Sequence, residues 1–392
     1  GLLKRHRFIL AAIALGAAFT FALFRWRAPP EPVYRGKTVT AWARDMNSPY
    51  PNVRSNATAA LRAMGTNGIP SLLKTLQRRD PILKRPFLLL APKLPIWFRR
   101  SFIRVFKPFD ATGDRLAAVN ALAALGTNAP VPPLLKALHD PERQIAAQAA
   151  TALGNVGEPA VPSLIGALND RDGYVRSMAC YALSTIGPHA SEAAPALIQR
   201  FADSYVNIPA QATYALSRIG RPALPALVEA LKSTNVRTRA LAVQVLGGMG
   251  PQARSAAPVL IEAVEDEQVV VRENAVEALG NTWALPRESV AVFTRALRDS
   301  DAKVRLKSLQ ALAKVAPVAA SSIPTLIETL TDEDAQVRGG AAKVLGNMGA
   351  AAKAAAPALR ERLQDNDELV RATVKEALTN IEQSGAPPIG VK

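Results

Sequence analysis

The feature that most constrains the fold is an internal repeat of 30 or 33 residues, which runs from about residue 38 to residue 382. The segments VPSLIGALND (161–170) and IPTLIETLTD (323–332) each have a proline, a leucine six positions later and an aspartate two positions beyond that. From Pro132 onward these prolines, with Ala291 replacing one, are spaced by 30, 33, 30, 33, 33, 33 and 33 residues. Seven such intervals in succession exclude a chance alignment of unrelated helices. The period predicts a stack of similar supersecondary units.

Each repeat has the pattern of two short helices. Fourteen residues after the proline stands an arginine, usually preceded by valine, as in Val175-Arg176 and Val370-Arg371. Small or apolar residues follow this arginine at +3, +6, +7 and +10, which is one stripe of an amphipathic helix. A glycine at +11 is predicted to end that helix in several repeats: Gly65, Gly126, Gly157, Gly187, Gly220, Gly250 and Gly349. Such short helices cannot bury their stripes alone, so the repeats must stack.

The Pro–Leu–Asp–Val–Arg pattern resembles HEAT repeats, particularly the short bacterial type also found in phycobilisome-lyase-like proteins. The resemblance covers about residues 38–382. It implies an all-α, armadillo-like fold, a right-handed α-solenoid of about ten helix pairs.

Aspartate and arginine recur at one offset in these repeats. We interpret the aspartate as the cap of the second helix, and the resemblance to HEAT repeats implies that the arginine reaches the aspartate of the neighbouring repeat. This structural interpretation is favoured over a catalytic carboxylate. The predicted ladder consists of Asp170, Arg176, Asp266, Arg272, Asp299, Arg305, Asp332, Arg338, Asp365 and Arg371.

The N-terminal region contains seventeen residues without a charge, at positions 8–24. As a helix they would span about 25 Å, slightly less than the hydrocarbon core of a bilayer. Basic residues flank both ends, and Trp26 suits a membrane interface. We predict an uncleaved transmembrane or signal-anchor helix within residues 1–27 and a linker over 28–37, with the array outside the cytoplasm. The alternative is a cleaved signal peptide.

The net charge of +16 belongs entirely to residues 1–115, which hold 21 Lys and Arg against 5 Asp and Glu, while residues 116–392 hold 27 of each. A protein that binds a phosphate backbone along its length needs basic residues distributed along its contact surface, so nucleic acid is not the expected partner of the repeats. The expected partners are the membrane, through residues 8–24, and a protein or peptide.

An insertion over residues 80–113 interrupts the repeat with five prolines and six aromatic residues. Within it, residues 96–107 form a basic amphipathic segment. Three interpretations stay open: a degenerate repeat whose aromatics pack on the first repeats, an element on anionic lipid, or a single-stranded nucleic-acid site. The predicted membrane-interface residues are Trp26, Trp97, Arg99, Arg100, Arg104 and Lys107.

Few residues suit catalysis. The chain has one cysteine and three histidines, so thiolate metal clusters are excluded and a His-based metal centre has little material. The di-iron hydroxylase of this fold class would require His-Glu pairs, which are absent here. Cys180 is interpreted as a small packing residue. We therefore expect no metal, no cofactor and no enzymatic activity; the alternatives are a HEAT-like enzyme or lyase-type module, or nucleic-acid binding through the basic N-terminal region.

The predicted function is a membrane-tethered scaffold that binds a protein or peptide on the surface of the solenoid. Five residues beyond each arginine position, off the buried stripe, lies a polar row whose predicted partner-binding members are Asn120, Thr151, Tyr181, Tyr214, Gln244, Glu277 and Gln310. Exposed tyrosine is common in interfaces, so the centre is placed at Tyr181 and Tyr214. The alternative is that both tyrosines pack in the groove between repeats. The tail, residues 383–392, is expected to be disordered.

Overall fold

The computed structural model describes residues 31–79, 111–282 and 286–383, and these residues are almost entirely helical, as predicted. The chain divides into two compact units, residues 1–152 and 153–392. The boundary lies inside one helix, so it does not coincide with the end of a repeat.

The described part of the first unit begins with a small antiparallel hairpin, most of which lies in the segment 28–37 predicted to be a linker. Its strands are β1, Val33–Tyr34, and β2, Lys37–Thr38. Arg35 and Gly36 both have positive φ, 48° and 77°, as a tight two-residue hairpin turn requires. The other described elements of the unit are helices: α1 Val39–Asp45, α2 Pro51–Met64, α3 Ile69–Leu76, α4 Ala111–Ala124, α5 Val131–Ala137 and α6 Arg143–Val156, which contains the unit boundary.

A buried carboxylate fixes α4 against the first helices. Asp114 of α4 accepts hydrogen bonds from Arg44 Nε of α1 at 2.8 Å and from Arg78 Nη1, just after α3, at 2.7 Å. Burial raises the pKa of Asp114, but the two arginines lower it by more, so the net shift is downward. α4 therefore packs on α1 and α3 although 34 residues separate α3 from α4 in the sequence.

The second unit consists of alternating first and second helices of successive repeats. The first helices are α7 Val161–Ala167, α9 Ala194–Gln199, α11 Leu224–Ala230, α13 Ala257–Ala263, α15 Pro286–Ala296, α17 Ile323–Thr329 and α19 Ala356–Glu361. The second helices are α8 Gly173–Ile186, α10 Ile208–Ile219, α12 Val236–Gly248, α14 Val269–Thr282, α16 Ala302–Lys314, α18 Ala335–Met348 and α20 Glu368–Gln383. The second helices pack side by side in one layer, and each first helix packs on its own second helix from the other side. Leucines such as Leu183 and Leu326 are fully buried in this unit.

Local sequence explains where these helices begin and end. Prolines occupy the first turn of the first helices, where a missing N–H costs no hydrogen bond. All seven glycines predicted to end helices have φ between 54° and 82°, so that prediction is confirmed. A residue with a Cβ is strained in this conformation, which is why glycine stands at these ends.

The predicted location as a single-pass membrane protein is corrected by the structure. Among the described residues, no helix is long and apolar enough to cross a membrane. The longest, α20, has 16 residues and spans about 24 Å, whereas a bilayer core is about 30 Å thick. The segment 8–24, on which the prediction depended, lies outside the described residues, as do the insertion from 80 to 110 and the tail from 384 onward.

Candidate partner-binding face

The predicted partner-binding row lies on the exposed side of the second helices. In the second unit, Tyr181 on α8 and Tyr214 on α10 are 45% and 58% exposed. At the same position of the next three second helices, α12, α14 and α16, stand the exposed side chains of Gln244, Glu277 and Gln310. Because these helices pack side by side, the five residues form one line, which we call the second-helix row.

The two members from the first unit differ from this row. Asn120 on α4 is half-buried, and its Nδ2 donates to Asn47 Oδ1 at 2.8 Å. Thr151 on α6 is also half-buried, and its hydroxyl donates to the carbonyl of Ala147 at 3.2 Å. Both side chains make hydrogen bonds within their own unit, so they are less accessible to a partner than the tyrosines are.

Two further tyrosines lie on or next to the helices of Tyr181 and Tyr214. Tyr174 stands seven residues before Tyr181, on the same side of α8. Tyr205 precedes α10, and its ring lies over Gly173, where an added Cβ would be 2.6 Å from the ring carbon Cδ2. We call Tyr174, Tyr181, Tyr205 and Tyr214 the tyrosine patch. Val206 beside it is 85% exposed, the most exposed large apolar side chain among the described residues.

The sequence reasoning missed Tyr174 and Tyr205. One signal could have shown them: four of the six tyrosines of the chain fall within residues 174–214. The contact of Tyr205 with Gly173 could not be predicted from the repeat, because Tyr205 belongs to a turn and reaches back by 32 residues to the preceding second helix.

The arginines of the ladder connect successive repeats. Each binds the aspartate 27 residues later, with the shortest N–O distance at 2.7 or 2.8 Å, and both side chains are mostly buried. These pairs are Arg176–Asp203, Arg239–Asp266, Arg272–Asp299, Arg305–Asp332 and Arg338–Asp365. The same arginines donate through Nη1 to the backbone carbonyl six residues before them, so each links its own turn to the next repeat. Arg371, the last arginine of the predicted ladder, is the exception: among the described residues its side chain makes only the carbonyl contacts of its own turn.

The interpretation of the ladder aspartates as helix caps is wrong. The cap of α8 is Asp172, whose carboxylate accepts from the backbone N–H of Tyr174, while Asp170 Oδ1 accepts from the N–H of Asp172. The same two-residue offset recurs at Asp299 and Asp301. The residue two positions after the ladder aspartate has extended backbone angles and faces the free N–H groups of the helix, so that residue is the cap. The ladder aspartate instead accepts a hydrogen bond from the N–H of the cap residue and so stabilises the turn before the helix.

Four ladder carboxylates have a lowered pKa because an arginine binds each of them: Asp203, Asp266, Asp299 and Asp365. Burial raises the pKa of Asp299, but the hydrogen bond from Arg272, the N–H of Asp301 and the charge of Arg272 together lower it by more. For Asp365 the hydrogen bond from Arg338 is the largest effect, and the pKa is again below its usual value. At neutral pH the ladder is therefore a set of matched charges.

The structure places the cysteine and the candidate metal ligands of the described residues. Across residues 31–79, 111–282 and 286–383, no group of three His, Cys, Asp or Glu side chains is placed to hold a metal ion. Cys180 is fully buried in α8, and burial raises the pKa of its thiol to about 12. Such a thiol is protonated and inaccessible, which fits a packing residue. The predicted membrane-interface residues Trp26, Trp97, Arg99, Arg100, Arg104 and Lys107 lie outside the described residues.

Comparison with solved structures finds the same fold in karyopherins. The chain resembles karyopherin Kap121p bound to the extreme C-terminus of the phosphatase Cdc14p, with a TM-score of 0.51 and 14% identity over 89% of this chain and 42% of that one. Kap121p bound to the SUMO protease Ulp1p gives a TM-score of 0.52 and 13% identity over 88% and 45%. This chain thus spans less than half the length of these karyopherins, and at this identity the likeness shows the fold alone.

Comparison with protein families gives a more specific result. No curated protein matches the sequence. The model for a PBS lyase HEAT-like repeat matches residues 114–140. The model for HEAT repeats matches residues 131–217, 224–313 and 289–379, which together make up more than half of the chain. The chain therefore belongs to the HEAT-repeat family.

Proposed function

We propose that this protein is a non-catalytic scaffold that binds a protein or peptide partner on the second-helix row, with Tyr181 and Tyr214 at the centre of the contact. The observation that carries the proposal is the exposure of these two aromatic rings, about half of each, on adjacent helices that the Arg–Asp ladder holds in place. Tyrosine buries a large area on binding and loses little side-chain entropy, so it contributes strongly to interfaces.

The rigidity of the helices below the tyrosines supports this role. Arg176 of α8 binds Asp203 in the turn before α10 through two hydrogen bonds of 2.7 and 2.9 Å. Asp203 in turn accepts from the N–H of Tyr205. The two helices that present the tyrosines are therefore fixed to each other, so binding of a partner carries no entropic cost for ordering them.

The solved relatives offer a second line of support. Kap121p is found with peptide or protein partners, among them the Cdc14p C-terminus, Ulp1p and Nup53p. These contacts belong to Kap121p; for the present chain they support a protein partner because the fold is shared. The burial of Cys180, whose thiol is protonated, fits a packing residue of the scaffold.

The proposal is tested by removing the two rings. The full chain is used to capture proteins from an extract of its source cells, and the captured protein is then purified for affinity measurement. We expect Tyr181→Ser with Tyr214→Ser to raise its Kd by about 30-fold or more, since each interface tyrosine contributes about 1 to 2 kcal/mol. Because both rings are exposed, thermal stability should change little.

The matched control is Tyr50→Ser, which removes another exposed tyrosine, 66% exposed, from the start of α2. It should leave the Kd within about twofold of wild type. An unchanged Kd in the double variant, or an equal loss in the control, would show that the partner binds elsewhere.

A further inference from the structure

In the second unit, acidic and basic side chains are distributed unevenly between the helices. Apart from the ladder arginines, the second helices α8 to α18 carry only two acids, Glu273 and Glu277, both on α14. The same helices carry six off-ladder bases: Arg218, Arg237, Lys303, Lys307, Lys314 and Lys343. Most other acids of this unit lie in the turns, on first helices, as Glu229 and Glu262 do, and on α20. The ladder binds five of the turn acids, and others, such as Asp172 and Asp301, cap second helices. Net neutrality over residues 116–392 thus conceals a basic layer of second helices.

Three of these bases stand at the same repeat positions as the tyrosines. Arg237 on α12 and Lys303 on α16 stand at the repeat position of Tyr174, and Lys343 on α18 stands at the position of Tyr181 and Tyr214. The two positions are seven residues apart, so they share one side of each helix. Arg218 lies on the same side, four residues after Tyr214. The tyrosine patch and the basic residues therefore belong to one continuous surface, which we call the second-helix face.

Four of these bases make neither an ion pair nor a side-chain hydrogen bond with a described residue. The side chains of Arg218, Arg237, Lys303 and Lys343 are exposed and make no ion pair with any described residue. Lys307, by contrast, binds Glu277 at 2.7 Å, and Lys314 binds Asn281 Oδ1 at 2.8 Å. Since Lys307 also neutralises the acid of the second-helix row, the charge that remains on this surface is positive.

The spacing of the unpaired bases fits a polypeptide rather than a nucleic acid. Adjacent packed helices are about 10 Å apart, and the four bases are spread over the five helices from α10 to α18. An extended peptide advances about 3.3 Å per residue, so an acid at about every third residue matches this spacing. Duplex DNA carries a charge about every 1.7 Å, a density that these bases do not meet. From α8 to α18 the face spans about 50 Å, or about 15 extended residues.

We propose that the second-helix face binds an extended acidic segment of a partner protein. An apolar or aromatic residue of the segment contacts the tyrosine patch, and its Asp and Glu side chains pair with Arg218, Arg237, Lys303 and Lys343. This inference rests on the proposed function and adds the chemistry of the partner: the part that contacts the tyrosine patch is apolar, and the part that contacts Arg218 and helices α12 to α18 is acidic.

The test is a selection of 16-residue peptides from a random display library on the immobilised full chain at physiological salt. We expect the selected peptides to be enriched in Asp and Glu and depleted in Lys and Arg. The face variant Arg237→Glu/Lys303→Glu/Lys343→Glu reverses three unpaired bases and should abolish this enrichment. For a selected peptide synthesised separately, the same variant should raise the Kd by about tenfold or more.

The matched control reverses the same amount of charge away from the face. Arg221→Glu/Arg254→Glu/Lys353→Glu changes three exposed bases in the short turns after the second helices. The control should change the Kd by less than about twofold at physiological salt, because charges more than a Debye length of about 8 Å away are largely screened. A peptide held by the basic residues of positions 1–115 would be recognised by an unchanged Kd in the face variant itself, which overturns the inference.

Each outcome separates this inference from the proposed function. Acidic peptides whose binding is lost in the face variant and in Tyr181→Ser/Tyr214→Ser, but kept in the control, support both. Peptides that depend on the tyrosines but are not acidic overturn the inference and leave the proposed function standing. An equal loss in the control, or displacement of acidic peptides by a single-stranded 16-mer oligonucleotide that binds more tightly, overturns the inference. Selection of no peptide, or of peptides indifferent to the tyrosines, overturns both.

Discussion

Removal of one ladder arginine, Arg272→Ala, is expected to destabilise the second unit strongly. Nε and Nη2 of Arg272 bind the two carboxylate oxygens of Asp299 at 2.8 and 2.9 Å. Its Nη1 also donates to the carbonyls of Asp266 and Glu267 at 3.0 and 3.1 Å. One side chain thus connects α14, the turn before it and the turn before α16.

The burial of the Arg272–Asp299 pair determines how much stability Arg272→Ala should lose. The side chains of Arg272 and Asp299 are only 13% and 12% exposed, so truncation leaves an anion without its cation in a largely dehydrated place. Removing one partner of a buried pair costs about 3 to 5 kcal/mol. Asp299 keeps the N–H of Asp301 and some contact with water, which places the expected loss at about 3 kcal/mol.

An exposed ion pair with the same N–O distance serves as the matched control. Arg295 Nε lies 2.8 Å from Glu265 Oε1, but the two side chains are 60% and 61% exposed. An exposed pair contributes about 1 kcal/mol or less, so Arg295→Ala should change stability by no more than that. Urea unfolding followed by circular dichroism at 222 nm measures both variants. Equal shifts of the two midpoints would refute the argument that burial, rather than distance, gives the ladder its energy.

Two other substitutions, Gly247→Ala and Arg338→Ala, test the packing of the second helices and the ionisation of a ladder carboxylate. Gly247→Ala should lower the free energy of unfolding by about 1 to 2 kcal/mol, because the added Cβ would lie 3.0 Å from Cα and Cβ of Ala278. The control Gly248→Ala, whose added Cβ has no atom within 4 Å, should instead raise the free energy of unfolding by about 0.5 kcal/mol. Thermal melts in which Gly247→Ala is the more stable of the two variants would contradict this prediction. Because Arg338 holds the pKa of Asp365 below its ordinary 3.8, against the opposing effect of burial, this carboxylate stabilises the fold fully above that pH and loses the effect as the pH falls through the lowered pKa. Urea midpoints measured from about pH 5 down to about pH 2 should therefore fall more steeply for wild type than for Arg338→Ala, and parallel curves would count against the linkage.

The parts of the fold that depend on local chemistry could be predicted from the sequence. The helix ends at Gly187 and Gly220 follow from a backbone conformation that glycine adopts without strain. The resemblance to HEAT repeats likewise implied that a ladder arginine reaches the next aspartate. The cap was misassigned, because Asp170 and Asp172 are both aspartates and only the backbone angles decide which one faces the helix.

Contacts across long separations could not be predicted in this way. Asp114 binds Arg44 and Arg78, which are 70 and 36 residues away and belong to no shared repeat position. The contact of Tyr205 with Gly173 depends on how one turn packs on the previous helix. In both cases the interaction is set by tertiary packing, which a repeat pattern specifies only for the residues that repeat.

The basic second-helix face shows why a charge count misled the sequence reasoning about the array. Equal totals of acids and bases over residues 116–392 suggested a surface with no electrostatic preference. Each ladder pair takes one aspartate and one arginine out of these totals, so it leaves the balance unchanged. The asymmetry comes from position, because most of the remaining acids lie outside helices α8 to α18, which carry six off-ladder bases and two acids. Arg218, Arg237, Lys303 and Lys343 stay unpaired on the exposed side. For the proposed acidic partner, we therefore expect selectivity to depend on residues that do not recur from repeat to repeat, since the recurring Arg–Asp charges neutralise one another.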